Sequence, residues 1–276
     1  MLFVPGGSPE PHLHLTQLLA EELIVAHGNK LHEHPSAERV GVPDARPQSV
    51  GSLLVSPDSF GSTFWTSPQR EWNWPPVAEY DRMPYDAEAG ESLVMTSQVS
   101  ERMKYRIRKT FTPVDSDHSI AVTYTIKNES GETRKVAPWE ITRVPNDGVI
   151  FFDAPLEGIT PAGLLNFTSA YGLSWYMADE AAQNRKVNAD GKGWLAYCAK
   201  GLLLVKRFQD LDASQPAPDE AEIQVYVNMR KTYIEIESQG AYTELKPGEE
   251  LQWTVRWYLL PYDGAAEPSE ALKSLL

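Results

Sequence analysis

The sequence is poor in the features that mark several protein classes. Its 276 residues include a single cysteine, Cys198, which rules out an internal disulfide and the paired thiolates of most zinc or iron–sulfur sites. No apolar run reaches the roughly 18 residues that a membrane-spanning helix needs. Basic residues number 25 against 38 acidic ones, which gives a net charge of −13. Nucleic acid and anionic membranes, both of which require clustered Lys and Arg, are therefore not expected as partners.

Residues 1–50 differ in character from the rest of the chain. They contain five of the six histidines, a predicted short helix at 15–25 and several prolines. The pairs His12/His14 and His32/His34 lack a strand pattern and a further ligand set, so we expect no metal and no cofactor. The first residues also lack the basic start and apolar core of a secretory signal, which predicts a cytoplasmic protein. We treat 1–50 as a divergent N-terminal extension.

Residues 51–276 are typical of one all-β domain. Turn residues separate many short runs rich in β-branched and aromatic side chains, which favours a large antiparallel β-sandwich. Hairpin-like turns at 113–117 and 128–132 support antiparallel pairing. The predicted strands are 92–99, 103–113, 120–128, 149–152, 193–199, 202–208, 221–227, 232–238 and 252–260.

The run TYIEIESQG near the C-terminus places acids inside a strand. Strict alternation puts Tyr233, Glu235 and Glu237 on one face and Ile234 and Ile236 on the other. If the isoleucines face a core, the acids face solvent or a cleft, where a ligand would explain them. The run 252–260 alternates in the same way, and the simplest interpretation pairs the two as antiparallel strands joined by a loop.

A second motif concentrates aromatic side chains in the segment 61–76. Three of the eight tryptophans lie there, interleaved with amide and charged groups in a Pro-rich stretch that predicts a loop. Indole faces beside hydrogen-bonding groups suit sugars. The alternative is that these tryptophans cap the open end of a sandwich core. The sugar-binding candidates here are Trp65, Gln69, Arg70, Trp72 and Trp74.

A third group follows the turn at 128–132. Trp139 and Arg143 flank Glu140, and all three are candidates for a sugar site. Glu140 and Arg143 could instead form a surface ion pair of little energetic consequence. Lys206 is a further candidate for a site-facing role, with a plain surface position as its alternative.

The order of these pieces resembles the galactose mutarotase (aldose 1-epimerase) superfamily. The resemblance rests on the aromatic entry loop, the Asn-x-Ser turn, the strand ending Glu237-Ser238-Gln239 and the turn Leu-Lys-Pro-Gly-Glu at 245–249. The segment 64–76 is similar to an uncharacterised, mainly bacterial branch, a domain of unknown function. The resemblance implies a supersandwich with a sugar cleft, Glu237 as general base and Gln239 as a sugar-binding neighbour.

The resemblance also implies a histidine proton donor, which this chain lacks at Trp139-Glu140-Ile141. His118 lies in an Asp-rich turn and is expected to be solvated. One hypothesis makes Glu140 the acid, if burial raises its pKa. The predicted function is an aldose 1-epimerase-like isomerase acting on a small sugar, as a monomer or weak homodimer. A non-catalytic carbohydrate-binding protein is the main alternative, and a lyase would need a Tyr and Arg pair in the cleft with Glu237 remote from it.

Overall fold

The computed structural model describes residues 61–276. The predicted helix at 15–25 and the paired histidines lie outside these residues. Two short helices, α1 (Ala78–Asp81) and α2 (Glu270–Lys273), accompany sixteen strands. In chain order the strands are β1 (Gly61–Ser67), β2 (Asp86–Ala89), β3 (Leu93–Thr96), β4 (Tyr105–Val114), β5 (Ser119–Asn128), β6 (Arg134–Pro145), β7 (Val149–Phe152), β8 (Phe167–Ala170), β9 (Leu173–Met177), β10 (Arg185–Ala189), β11 (Trp194–Ala199), β12 (Leu202–Arg207), β13 (Ile223–Val227), β14 (Tyr233–Gln239), β15 (Thr243–Leu245) and β16 (Glu250–Pro261).

The strands form two antiparallel sheets that pack face to face. The six-stranded sheet has the order β1-β6-β14-β13-β10, with β15 also paired to β6. The ten-stranded sheet has the order β2-β3-β4-β5-β16-β12-β11-β7-β9-β8. The predicted all-β antiparallel sandwich is confirmed, and each of the nine predicted strands overlaps an observed one. In the described part of the chain, no helix is long and apolar enough to cross a membrane.

Apolar side chains from both sheets fill the space between them. Ile234 and Ile236 of β14 are fully buried in a cluster that includes Ile150 of β7 and Leu195 of β11, as their alternation predicts. At the other end of the sandwich, the Phe64 ring stacks on that of Tyr124 with 4.3 Å between centroids. The inward face of β14 therefore packs in the core, and the acidic side chains of β14 lie on its outward face.

The C-terminal segment covers the part of the outer face of the ten-stranded sheet that β7, β9, β11 and β12 form. Phe151 and Trp175 stack there with ring centroids 4.3 Å apart. Leu272 of α2 is fully buried in the same cluster, and Leu276 packs against it. The Ser269 hydroxyl caps α2 by accepting a hydrogen bond from the Leu272 amide.

A buried ion pair joins the two sheets. The Nζ of Lys206 on β12 lies 2.6 Å from the Oε1 of Glu140 on β6, and both side chains are almost completely buried. Lys206 also donates to Thr142, and the Ser62 hydroxyl donates to Glu140 across 3.1 Å. Burial lowers the pKa of Lys206, while the Glu140 carboxylate opposes that shift. The pair ties β6 to β12 through the middle of the core.

Two pairing predictions were wrong. β14 lies between β6 and β13, and β16 lies between β5 and β12, so these two strands do not form a hairpin. The turn at 128–132 likewise joins β5 to β6, which belong to different sheets, whereas the turn at 113–117 does join the paired strands β4 and β5. Alternation specifies which face a side chain takes, and it does not specify which strand lies alongside.

Gly240 explains how the chain leaves β14. A Cβ at this position would lie 2.6 Å from the Pro138 Cγ on β6 and 2.8 Å from the Trp253 Cδ1 on β16. These contacts belong to opposite sheets, so only glycine lets the chain cross between them here. The crossing contains β15, which pairs with β6 before the chain enters β16. The segment 61–76 also departs from the predicted loop, since its first seven residues form β1.

Removing one partner of the Glu140–Lys206 pair should destabilise the protein more than removing both. We expect Lys206→Met alone to lower the free energy of unfolding by about 3–5 kcal/mol, because it leaves a buried carboxylate unpaired. The double variant Glu140→Leu/Lys206→Met should return to within about 1 kcal/mol of the parent or exceed it. Urea unfolding followed by tryptophan fluorescence measures both.

The exposed pair Arg106–Glu129 provides the matched control. Its atoms are 3.1 Å apart, but the Arg106 side chain is 41% exposed. Arg106→Met should therefore change stability by less than about 1 kcal/mol. Two results would contradict the role assigned to the Glu140–Lys206 pair. One is an equally small effect of Lys206→Met on stability. The other is a double variant whose loss of unfolding free energy equals the sum of the losses in Lys206→Met and Glu140→Leu.

Candidate functional site

The outer face of the six-stranded sheet collects polar side chains from adjacent strands. Glu235, Glu237 and Gln239 of β14 point away from the core, opposite the isoleucines. Directly paired residues of antiparallel strands share a face. Glu237 pairs with Gln224 of β13, which in turn pairs with Asn188 of β10. Carboxylate and amide groups thus form a row across three neighbouring strands.

Glu237 lies at the β14 end of this row and is 1% exposed. Its Oε2 accepts a hydrogen bond from the Trp139 indole across 2.8 Å and one from the Lys186 Nζ across 3.0 Å. Burial raises the pKa of Glu237 from 4.5 to about 7, with Lys186 opposing the shift and Glu235 adding to it. The carboxyl group therefore exchanges its proton near neutral pH, which is the range a general base needs.

Four tryptophans form a cluster that reaches this carboxylate through Trp139. Trp65 on β1 contacts Trp72 and Trp139 edge to face, with ring centroids 5.5 and 5.4 Å apart. All three are buried, so they cover the sheet and offer no open face to a ligand. Trp74 differs, because it is 65% exposed and touches only the edge of Trp65 in this group. Trp65 and Trp72 of the sequence motif therefore pack against Trp139, which is the tryptophan that contacts Glu237.

Gln239 holds a loop against the sheet. Its side-chain oxygen accepts from the Ala217 amide across 2.7 Å, and its nitrogen donates to Glu220 across 2.7 Å. The other carboxylate oxygen of Glu220 accepts a hydrogen bond from the backbone N–H of Gln69 across 2.7 Å, and the Ser67 hydroxyl also donates to Glu220. Gln239 is fully buried, so its role is to position the loop that carries Ala217 and Glu220 and not to contact a ligand. This loop forms one wall of a cleft.

A cleft of about 280 Å³ opens between this wall and the sheet. Its volume is near the lower limit of the roughly 300–1,000 Å³ typical of small-molecule sites, which suits a ligand of monosaccharide size. A second cavity of about 320 Å³ shares Thr160, Asn188, Asp219 and Glu220 with it. The cleft is lined by Gln69, Arg70, Thr160, Pro161, Lys186, Asn188, Pro218, Asp219, Glu220 and Gln224.

The cleft wall supplies many hydrogen-bonding groups. Three amide side chains, two cations and two carboxylates line it. Arg70 and Asp219 lie 2.8 Å apart and are both well exposed, so this pair contributes little to stability and can open for a ligand. Amides and charged groups at this density match a polyhydroxylated ligand, since each hydroxyl both donates and accepts. An apolar ligand would leave these groups unpaired.

Arg143 belongs to the same face of the sheet and has a separate partner set. Its Nε donates to Glu235 across 2.6 Å, and its guanidinium lies 5.1 Å from the centre of the Tyr233 ring. Tyr226 packs beside Tyr233. A lyase is expected to have a Tyr and Arg pair in the cleft and Glu237 remote from it. Tyr233 and Arg143 form such a pair on this face of the sheet. Glu237, however, contacts a cleft-lining lysine and is not remote from the cleft.

The structure does not bring every predicted site residue together. Gln69 and Arg70 line the cleft, and Trp139 contacts Glu237. Glu140 and Lys206 lie between the sheets, because Glu140 alternates with Trp139 and Ile141 on β6. The assignment of Glu140 as a partner of Glu237 therefore has no geometric support in this structure.

Sequence reasoning missed the residues that complete the cleft. Lys186 and Asn188 alternate with buried Val187 and Ala189 on β10, a five-residue strand that was not predicted. That alternation was the only sequence feature that indicated a strand here, and it covers only five residues. Glu220 follows the Pro- and Ala-rich loop, and only its contact with Gln239 shows that it faces the site. His118 is exposed in the β4–β5 turn, as predicted. Within 61–276, no group of His, Cys, Asp or Glu is arranged to hold a metal ion.

Comparison with known proteins identifies the fold. No family model and no curated protein matches the chain. Among solved structures, it is similar to a candidate aldose 1-epimerase from Escherichia coli K12, with 12% identity and a TM-score of 0.50 over 70% of this chain and 75% of that one. It is also similar to a candidate aldose 1-epimerase from Klebsiella pneumoniae subsp. pneumoniae MGH 78578, with 10% identity and a TM-score of 0.51 over 79% of this chain and 65% of that one. At such identities the likeness shows the fold alone, and it confirms the galactose mutarotase-like sandwich.

The raised pKa of Glu237 makes a prediction about stability. Because the folded protein holds this proton more tightly than the unfolded chain, the contribution of Glu237 to stability is largest below pH 4.5 and is lost as the pH rises to about 7. Between about pH 5 and pH 8, the wild-type protein should therefore lose about 2–3 kcal/mol of unfolding free energy relative to Glu237→Gln, which does not titrate.

Urea unfolding of both proteins at the two pH values measures this difference. Comparing wild type with the Gln variant cancels the titration of the groups that do not interact with Glu237. Glu244→Gln, on the exposed face of β15, serves as the control and should show no pH-dependent difference from wild type. If the difference in unfolding free energy between wild type and Glu237→Gln were the same at both pH values, the titration assigned to Glu237 would be wrong.

Proposed function

We propose that this protein interconverts the anomers of an aldose bound in the cleft, with Glu237 as the general base. The observation that supports this most directly is a buried carboxyl group 3.0 Å from Lys186 of the cleft wall, and burial raises the pKa of that carboxyl group to about 7. Proton transfer is most effective when the pKa of the catalytic group lies near the working pH. An ordinary surface glutamate would be a much weaker base at neutrality.

The cleft has the size and polarity for the sugar. Its amides and charged groups hydrogen-bond the ring hydroxyls and hold the anomeric hydroxyl toward Glu237. The fold supports the same function, since the similar structures from Escherichia coli and Klebsiella pneumoniae are candidate aldose 1-epimerases. Glu237 removes the proton of the anomeric hydroxyl, the ring opens at the anomeric carbon, and closure on the other carbonyl face gives the second anomer.

A non-catalytic sugar-binding protein is the second candidate. Glu237 is 1% exposed, and Lys186 lies between it and the cleft, so a sugar has to displace or share the lysine to reach the carboxylate. That burial favours binding without catalysis if Lys186 does not move. The two candidates differ in one measurable respect, because both bind an aldose and only the isomerase accelerates the approach to anomeric equilibrium.

Polarimetry across a panel of freshly dissolved aldoses, in dilute buffer, tests the proposal. We expect wild type to accelerate mutarotation of at least one aldose and Glu237→Gln to lower kcat by roughly 10²–10⁴-fold, the usual contribution of a positioned base. Glu244→Gln, on exposed β15, should match wild type. Isothermal titration calorimetry with the same aldoses detects binding independently of rate.

The pH dependence provides a second readout of the same reaction. Activity should rise with pH through about 7 as Glu237 loses its proton. Sugar binding without acceleration by wild type would favour the binding protein, and full activity in Glu237→Gln would remove Glu237 as the base. The other charged groups around the carboxylate and cleft are Lys186, Glu235, Arg70, Asp219 and Glu220.

A further inference from the structure

We propose that Lys186 is the proton donor of this reaction, delivering a proton to the ring oxygen while Glu237 accepts the proton of the anomeric hydroxyl. The inference rests on the proposed function, because it assigns the second group that ring opening requires. His118 is the one histidine among residues 61–276, and it lies in the exposed β4–β5 turn of the other sheet. The donor must therefore be sought elsewhere in the described chain.

Lys186 stands at the boundary between the cleft and the buried carboxylate. Its Nζ lies 3.0 Å from the Glu237 Oε2, and its side chain is 32% exposed. It also lies 4.5 Å from the centre of the Trp139 ring, which holds the ammonium over an indole face. A ligand in the cleft meets Lys186 directly, and it reaches the buried Glu237 by displacing or sharing that lysine.

An acid and a base in mutual contact suit the geometry of this reaction. The ring oxygen and the anomeric hydroxyl are both bonded to the anomeric carbon, so one ammonium–carboxylate pair can reach both oxygens at once. Lys186 on β10 and Glu237 on β14 lie in one sheet with β13 between them, and their 3.0 Å contact keeps the pair assembled before the sugar arrives. A preassembled pair lowers the entropic cost of bringing two groups to one substrate.

The proton and electron movements balance without a co-reactant. An N–H proton of Lys186 passes to the ring oxygen, and the bond between that oxygen and the anomeric carbon breaks, leaving its electron pair on oxygen. The hydroxyl proton passes to Glu237, and its bonding pair forms the carbonyl of the open-chain aldehyde. The amine and the carboxylic acid are then both neutral. Rotation of the aldehyde and reversal of both transfers return the protons and give either anomer.

The other cations near the site do not meet these requirements. Arg70 lines the cleft but pairs with Asp219, and a guanidinium gives up its proton too reluctantly to act as an acid. Arg143 is held by Glu235, and Lys206 is bonded to Glu140 between the sheets. Within the described range, Lys186 is the cation that both lines the cleft and contacts Glu237.

Lys186→Arg separates proton donation from charge. The guanidinium keeps the positive charge beside Glu237, but it is a far weaker acid than an ammonium. We expect kcat to fall by about 10²-fold or more while the KM for the aldose changes only a few-fold. Lys273→Arg, on α2 at the opposite side of the sandwich, is the control and should keep wild-type rates. Far-UV circular dichroism checks that both variants are folded.

Lys186→Ala allows the missing proton donor to be supplied from solution. Ethylammonium should raise the rate of this variant in proportion to its concentration, because it carries a transferable proton. Tetramethylammonium carries the same charge without that proton, and it should have no such effect. Wild type and Lys273→Arg should respond to neither cation beyond a general salt effect.

The outcomes separate this inference from the function on which it rests. Wild-type kcat in Lys186→Arg, or equal rescue of Lys186→Ala by both cations, would overturn the assignment of Lys186 and leave the isomerase proposal intact. A wild-type protein that accelerates no aldose would overturn both. Loss of activity in Lys186→Arg together with rescue by ethylammonium alone supports the proton-donor role.

Discussion

The balance of forces on the Glu237 carboxyl group controls what this face of the sheet can do. Trp139, which packs against Trp65 and Trp72, lies against one side of the carboxyl group, and burial alone would keep the group protonated. Lys186 opposes that shift from the cleft side and stabilises the carboxylate. The resulting pKa near 7 leaves both forms populated at neutral pH. Neither the apolar cover nor the cation by itself would place the group in that range.

The sandwich supplies this environment by using the two faces of the same strands for different purposes. β6 sends Trp139 outward to Glu237 and Glu140 inward to Lys206, so one strand both shapes the site and joins the sheets. β14 similarly sends its isoleucines into the core and its acids to the outer face. Gln239 then fixes the loop that carries Glu220, and this contact closes the cleft against the sheet. The site therefore depends on long-range contacts that the fold must form first.

Local patterns predicted the strands and the orientation of β14 because alternation and turn residues act over a few neighbours. They did not predict the partners of β14 and β16, since strand pairing depends on contacts distant in the chain. Glu140 is a different case, because its neighbours Trp139 and Arg143 face the site side and the alternation along β6 already places Glu140 on the other face. Lys186 was missed because β10 has only five residues and its partner Glu237 lies 51 positions away.

The Trp139 indole N–H reports most directly on the account, because it donates to the Glu237 carboxylate across 2.8 Å. Its resonance in a ¹H–¹⁵N spectrum, assigned with Trp139→Phe, can be followed as a function of pH with and without an aldose. We expect a titration with its midpoint near 7 that the sugar displaces and that Glu237→Gln abolishes. A midpoint near the ordinary value of 4.5, or a resonance that responds neither to pH nor to sugar, would contradict the central claim.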